Sequence, residues 1–125
     1  MLALGVGPAQ FGTRCLAAEE ATVHPDCKAA VVAAGAEDTR TVGRGLGLIR
    51  ALENDFTARM RRLKDSADEL DVRRKEFQGA TPKDAALHGR VRGGKVEAGQ
   101  SAGLVHEVPR PWRSWSASSP STGPR

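Results

Sequence analysis

Leu2-Ala3-Leu4-Gly5-Val6-Gly7-Pro8-Ala9-Gln10-Phe11-Gly12-Thr13 is the stretch on which the fold reading turns. Leu2, Leu4 and Val6 alternate with smaller residues, a period-2 pattern that predicts a strand over residues 2–11. Gly12-Thr13 then breaks the strand. A glycine at such an end lets a backbone amide approach a ligand with no side chain in the way. The amides of Gly12 and Thr13, with the threonine hydroxyl, have the chemistry to hold a phosphate. In (β/α)8 barrels phosphate sites of this kind lie after the last two strands.

Downstream of this stretch the chain reads as helical. Pro25 suits a first helical turn and Asp26 favours its dipole, so a helix is predicted from His24 to Ala34 with Gly35 as its stop. Gly43-Arg44-Gly45-Leu46-Gly47 reads as a flexible link. From Leu48 to Phe77 the apolar positions Ile49, Leu52, Phe56, Met60, Leu63, Ala67 and Leu70 recur at helical spacing, which predicts an amphipathic helical segment. Asp55 with Arg59, Glu69 with Arg73, and Asp71 with Lys75 are acid-before-base pairs four residues apart, each worth about 0.2–0.5 kcal/mol on a helix. Thr81-Pro82-Lys83-Asp84 is a helix start, opening a short helix to His88 with Gly89 as its stop.

From Pro109 the character changes. Residues 109–125 hold five of the seven serines, both tryptophans and four prolines, and no periodicity survives. This tail is expected to be disordered, since it cannot bury enough apolar surface to offset ordering entropy. The abrupt change looks like a shifted reading frame. Residues 1–108 are read as the folded part.

Composition removes several function classes. The 125 residues carry 19 basic and 15 acidic side chains, a net charge of +4. The densest basic run, Arg59 to Lys64, has acids around it and no aromatic platforms, so no nucleic-acid partner is expected. No stretch reaches the run of about 18 apolar residues that a membrane-crossing helix needs. Two cysteines, Cys15 and Cys27, make neither a disulfide framework nor a zinc site and suggest reduced thiols in a cytoplasmic protein. His24, His88 and His106 lack partners at metal-ligand spacing.

Two motifs match only in letters. Gly99-Gln100-Ser101-Ala102-Gly103 fits the nucleophile-elbow pattern, but Lys95-Val96-Glu97-Ala98 is a poor strand, and no acid lies between Ser101 and His106. Gly89 to Lys95 approaches a phosphate-binding loop, but Val96 stands where a hydroxyl must hold magnesium.

The run from Leu2 through Gln10-Phe11-Gly12-Thr13-Arg14 to Ala21 resembles the last barrel strand of nitronate monooxygenases, formerly 2-nitropropane dioxygenases. The similarity continues through Val23-His24-Pro25, Lys28-Ala29-Ala30 and Asp38-Thr39. It resumes at Gly99-Gln100-Ser101-Ala102-Gly103-Leu104-Val105, which is similar to the family's G-Q-x-A-G-L segment. The resemblance implies an α/β chain, an incomplete (β/α)8 TIM-barrel fragment made of the last strand and mostly helical C-terminal elements. It implies FMN as cofactor, with Gln10, Phe11, Gly12 and Thr13 at the cofactor-binding positions. It also implies oxidative denitrification of a small alkyl nitronate. The family's catalytic histidine has no counterpart among these residues, so no catalytic residue is assigned and the fragment is expected to be inactive alone. Two other readings stand beside this one. The first is an FMN-dependent enoyl-acyl-carrier-protein reductase of the same superfamily. The second is a non-enzymatic helical interaction protein that dimerises through the 48–77 stripe.

Overall fold

A glycine-rich β-hairpin divides the chain into two small helical clusters. The structure, a computed structural model, describes residues 2–5, 12–65 and 70–108. After a 3-10 turn at Leu2–Leu4 come α1 (Thr13–Ala17), α2 (Pro25–Ala33), β1 (Thr39–Val42) and β2 (Ile49–Leu52). Then follow α3 (Asp55–Asp65), α4 (Leu70–Gly79), α5 (Pro82–Ala86) and a second 3-10 turn at Gln100–Leu104.

The opening strand is corrected where it is described. Leu2–Leu4 form a 3-10 turn that ends at Gly5, whose φ is +76°. Alternation of Leu2 and Leu4 does not make a strand without a neighbour to take its backbone bonds. Among the described residues no strand pairs with this segment. Leu4 is largely exposed. Residues 6–11 and the tail 109–125 lie outside the described residues.

The helix expected over 48–77 is also corrected. Ile49–Leu52 is a strand, paired antiparallel with Thr39–Val42 so that Val42 faces Ile49 and Thr39 faces Leu52. The presumed flexible link is the hairpin turn. Gly43, Gly45 and Gly47 all take positive φ (82°, 83° and 141°), which permits the reversal. Gly43 C=O accepts from Leu46 and Gly47 N–H at 2.9 and 3.1 Å. The spacing of Ile49 and Leu52 fits a helix by chance. Their side chains serve different cores: Leu52 joins the first cluster, and Ile49 packs on the second.

Asn54 ends the strand and opens α3. Its Oδ1 accepts from Thr57 N–H at 3.0 Å, and Thr57 Oγ1 accepts from Asn54 N–H at 2.9 Å. Of the stripe, Phe56 and Met60 are buried, but Leu70 is half exposed. α3 and α4 are two helices packed on one another, with Phe56 and Phe77 ring centres 6.3 Å apart. Asp55 and Asp71 take other partners than the Arg59 and Lys75 expected four residues on, and Glu69 lies outside the described residues. Arg59 reaches Glu76, Asp55 lies 3.5 Å from Arg92, and Asp71 lies 3.4 Å from Arg74. Arg73 donates to the Arg44 carbonyl in the hairpin turn.

The first core joins α1, α2, β2 and the C-terminal turn through Ala17, Cys27, Val31, Leu52, Val96 and Val105. It is built of small aliphatic side chains, as a chain with 4% aromatics requires. The second core, Val42, Phe56, Met60 and Ala80 with Phe77 against it, holds α3 and α4 to the hairpin. Residues 96–98 extend the hairpin edge. Leu52 N–H donates to Val96 C=O at 2.9 Å, and Ala51 bridges Glu97.

Two helix starts follow the sequence closely. α2 begins at Pro25, with His24 Nδ1 accepting from Asp26 N–H at 3.1 Å. It ends at Ala33, and Gly35 is not the left-handed stop expected, because its N–H donates to the Asp38 carboxylate at 2.7 Å. α5 carries a complete capping box between Thr81 and Asp84. The turn after it places Gly89 at φ +68°, where a Cβ would overlap the His24 ring.

Candidate functional site

Thr13 is the first residue of α1 and is buried, whereas Gly12 before it is exposed. The first intrahelical bond runs from Leu16 N–H to Gly12 C=O at 3.0 Å. The amides of Gly12 and Thr13 therefore lie ahead of the helical ladder, where helix geometry gives them no partner. No side chain caps this end. Among the described residues nothing lies within 4 Å of a Cβ built on Gly12.

The threonine hydroxyl is already engaged on one side. Gly99 N–H donates to Thr13 Oγ1 at 2.9 Å, joining residues 86 apart in sequence. The two motifs singled out in the sequence, Gly12-Thr13 and Gly99 to Gly103, are thus in contact. The second motif forms the 3-10 turn Gln100–Leu104, which packs on α1 and α2. Ala102 is fully buried in the first core. Gly103 lies so close to Ala36 that a Cβ would come within 2.8 Å of its Cα. Ser101 is exposed on this turn and does not sit on a strand-to-helix elbow.

Of the four residues expected to bind cofactor, Gly12 and Thr13 stand together at this opening. Gln10 and Phe11 lie outside the described residues. The described pair fits an oxyanion: two amides ahead of a helix and a hydroxyl whose lone pair is occupied by Gly99, leaving its proton to donate.

The other polar groups fall elsewhere. His24 caps α2, while His88 and His106 are exposed. Among the described residues no three His, Cys, Asp or Glu side chains gather in a way that could hold a metal ion. Cys15 is exposed, and burial pushes the Cys27 thiol above its ordinary range. A cleft of about 510 Å³ lies between α2, the end of β2 and the 91–96 loop, with Ala30, Leu52, Asn54 and Val96 in its wall. It does not include Gly12 or Thr13. Sequence reasoning missed Lys95, which is buried beside Phe56 and Phe77. It also missed Asn54, whose amide donates to the carbonyls of Val91 and Gly94 at 2.8 Å each. Lys95 has no local pattern, and the bonds of Asn54 to the 91–94 loop, up to 40 residues away, leave none, although its cap on Thr57 is local.

Among solved structures, the chain is similar to FabK from Thermotoga maritima. Identity is 32%, covering 87% of this chain and 34% of that one, with a TM-score of 0.74. A methionine-to-alanine mutant of the same protein matches at 29% identity over 87% of this chain and 32% of that one, with a TM-score of 0.68. The chain thus spans about a third of the length of the proteins it matches, and its α/β fold corresponds to part of a TIM-barrel protein. No family model and no curated protein matches the sequence. Among the described residues no helix is long and apolar enough to cross a membrane.

Proposed function

We propose that residues 1–108 form the C-terminal part of an FMN-dependent TIM-barrel oxidoreductase of the enoyl-acyl-carrier-protein reductase type, with residues 109–125 a tail outside the barrel. The observation that carries this reading is the structural match to FabK, an enoyl reductase and FMN-dependent flavoenzyme. Contact between Gly99 and Thr13 supports it, since it brings together the two motifs on which the flavoprotein resemblance rests.

When bound, the flavin supplies the redox chemistry, and the protein supplies binding and orientation. Here the share of this chain is the phosphate end. The amides of Gly12 and Thr13 and the Thr13 hydroxyl would hold the flavin phosphate, and by resemblance Gln10 and Phe11 would belong to the same set. No residue of this chain is assigned to proton transfer, and turnover requires the rest of a barrel. A cytoplasmic setting, with Cys15 and Cys27 as reduced thiols, belongs to the same reading.

A second reading, nitronate monooxygenase, is favoured by the likeness of residues 2–21 to that family's last strand. One experiment separates the two. The chain is co-expressed with the portion of Thermotoga maritima FabK that it does not cover, and the purified assembly is assayed. Flavin retention with reduction of an enoyl thioester by a reduced nicotinamide supports the first reading. Oxygen uptake with an alkyl nitronate, without enoyl reduction, supports the second. An assembly without flavin and without either activity contradicts both.

A further inference from the structure

We propose that the face around the 3-10 turn Gln100–Leu104 is the interface through which this chain joins the rest of a (β/α)8 barrel, with Leu104 as its anchor. The inference rests on the TIM-barrel reading above and deepens it by naming the face that the remainder of the barrel covers.

Charged side chains are spread through most of the sequence, with three exceptions. Residues 1–13, 29–36 and 98–105 contain no Asp, Glu, Lys or Arg, and no other such run within residues 1–108 exceeds six. The structure brings parts of all three together. Gly99 N–H donates to Thr13 Oγ1 at 2.9 Å. Gly103 lies against Ala36, its would-be Cβ 2.8 Å from that Cα. The turn between these contacts packs on both α1 and α2. Gln100, Ser101 and Leu104 on the turn, and Gly12, Cys15 and Ala36 beside it, are all exposed.

Among the described residues the two most exposed large apolar side chains are Leu4, at 84%, and Leu104, at 74%, and both belong to these runs. Leu70 and Val72, by contrast, stand half exposed on α4 among Asp71, Arg73, Arg74 and Lys75. Single apolar residues on a charged surface of that kind are ordinary. Leu104 is also held outward. Ala102 and Val105, on either side of it, are buried in the first core. Ala102 N–H donates to Gly99 C=O at 3.0 Å, and Val105 N–H donates to Ala102 C=O at 2.9 Å. An anchor fixed in this way joins a partner with little further loss of conformational freedom.

An apolar face with few charges has the composition of a permanent interface. Its occupant follows from the match to FabK: 87% of this chain corresponds to only 34% of that one, so about two thirds of such a protein lies outside the matched part. That larger part is seated on the charge-free face, and α4 with its charged side chains stays in water.

The test co-expresses the chain with the portion of Thermotoga maritima FabK that it does not cover and reads the dissociation constant on dilution of the purified assembly. Leu104→Asp is expected to weaken association by at least about tenfold, the scale of losing one anchor residue. Leu104→Met and Leu70→Asp should associate as the native chain does. The free Leu104→Asp chain should keep the native urea midpoint, which separates loss of the interface from loss of the fold.

Leu104→Asp associating as tightly as the native chain would overturn the interface and leave the barrel reading intact. So would disruption by Leu70→Asp in its place, or a lowered urea midpoint for free Leu104→Asp. A native chain that does not join the FabK portion would overturn the barrel reading and this inference together. If that chain is instead a dimer that Leu104→Asp makes monomeric, the face belongs to a second copy of the chain.

Discussion

Lys95 Nζ lies 3.7 Å from the centre of the Phe77 ring and 5.7 Å from that of Phe56, with the lysine only 8% exposed. The ammonium is thus the polar centre of the second core, joining the 94–98 segment to α3 and α4. Attraction to the ring faces is worth about 0.5–2 kcal/mol. It works against burial, which pushes the lysine below its ordinary value near 10.5, while Glu97 opposes that fall.

The opposition has a pH signature. Below the folded-state value both states are charged, and the folded state bears the full burial penalty. As pH rises toward 10.5, the folded state loses its proton first and unfolding takes one up, so stability rises with pH. As pH rises toward 10.5, urea midpoints of the native chain should rise relative to those of Lys95→Met measured at the same pH, and parallel curves would contradict this. At pH 7 the variant should differ by less than about 2 kcal/mol, since the lost ring contact is offset by the relieved penalty.

Gly103 is a packing glycine. Alanine there would place Cβ 2.8 Å from Ala36 Cα and closer still to its backbone nitrogen. Gly103→Ala is expected to cost about 1–3 kcal/mol, the usual scale of overpacking. Gly93→Ala is the control, because nothing lies within 4 Å of its would-be Cβ. Thermal unfolding of the two variants checks this, and equal midpoints would contradict it.

The Thr81–Asp84 box predicts an acid limb. The Thr81 hydroxyl, chiefly, with its backbone N–H and nearby Arg90 and His88, holds the Asp84 carboxyl below its ordinary 3.8. A carboxyl lowered in the folded state stabilises above its unfolded value, and that contribution disappears as pH falls through the folded one. Thr81→Ala should cost about 1 kcal/mol at neutral pH. The difference from the native chain should shrink below about pH 4, as urea titrations at pH 7 and pH 3 would show.

Asn54 ties α3 to the 91–94 loop with both ends of its amide. Asn54→Ala leaves the Val91 and Gly94 carbonyls and the Thr57 amide without their partner. The expected cost is about 1–3 kcal/mol. Asn54→Asp should be worse still, since a carboxylate would face two carbonyl oxygens. A urea midpoint for Asn54→Asp equal to the native one would contradict this account.

Helix-start signals in the sequence survive in the structure, while readings that depend on a distant neighbour do not. Pro25 and Thr81-Pro82 mark helix starts because capping is decided within four residues. The glycines at 43, 45 and 47 announce a chain break, but whether the break is a linker or a hairpin depends on β1 meeting β2. Ile49 and Leu52 illustrate the same limit: helical spacing cannot reveal that strand pairing places them in two different cores. Leu2 and Leu4 alternate as a strand would, yet strand formation depends on a neighbour. For the candidate site, Gly12 and Thr13 were legible as a motif, and so was the run from Gly99 to Gly103. The hydrogen bond between them was not, because its ends are 86 residues apart.

The most direct measurement is the flavin content of the purified assembly of this chain with the complementary part of Thermotoga maritima FabK. The account predicts a yellow complex with FMN near one per assembly, and loss of most of that flavin in Thr13→Val. A well-formed assembly that is colourless, or one whose FMN is indifferent to Thr13, would contradict it.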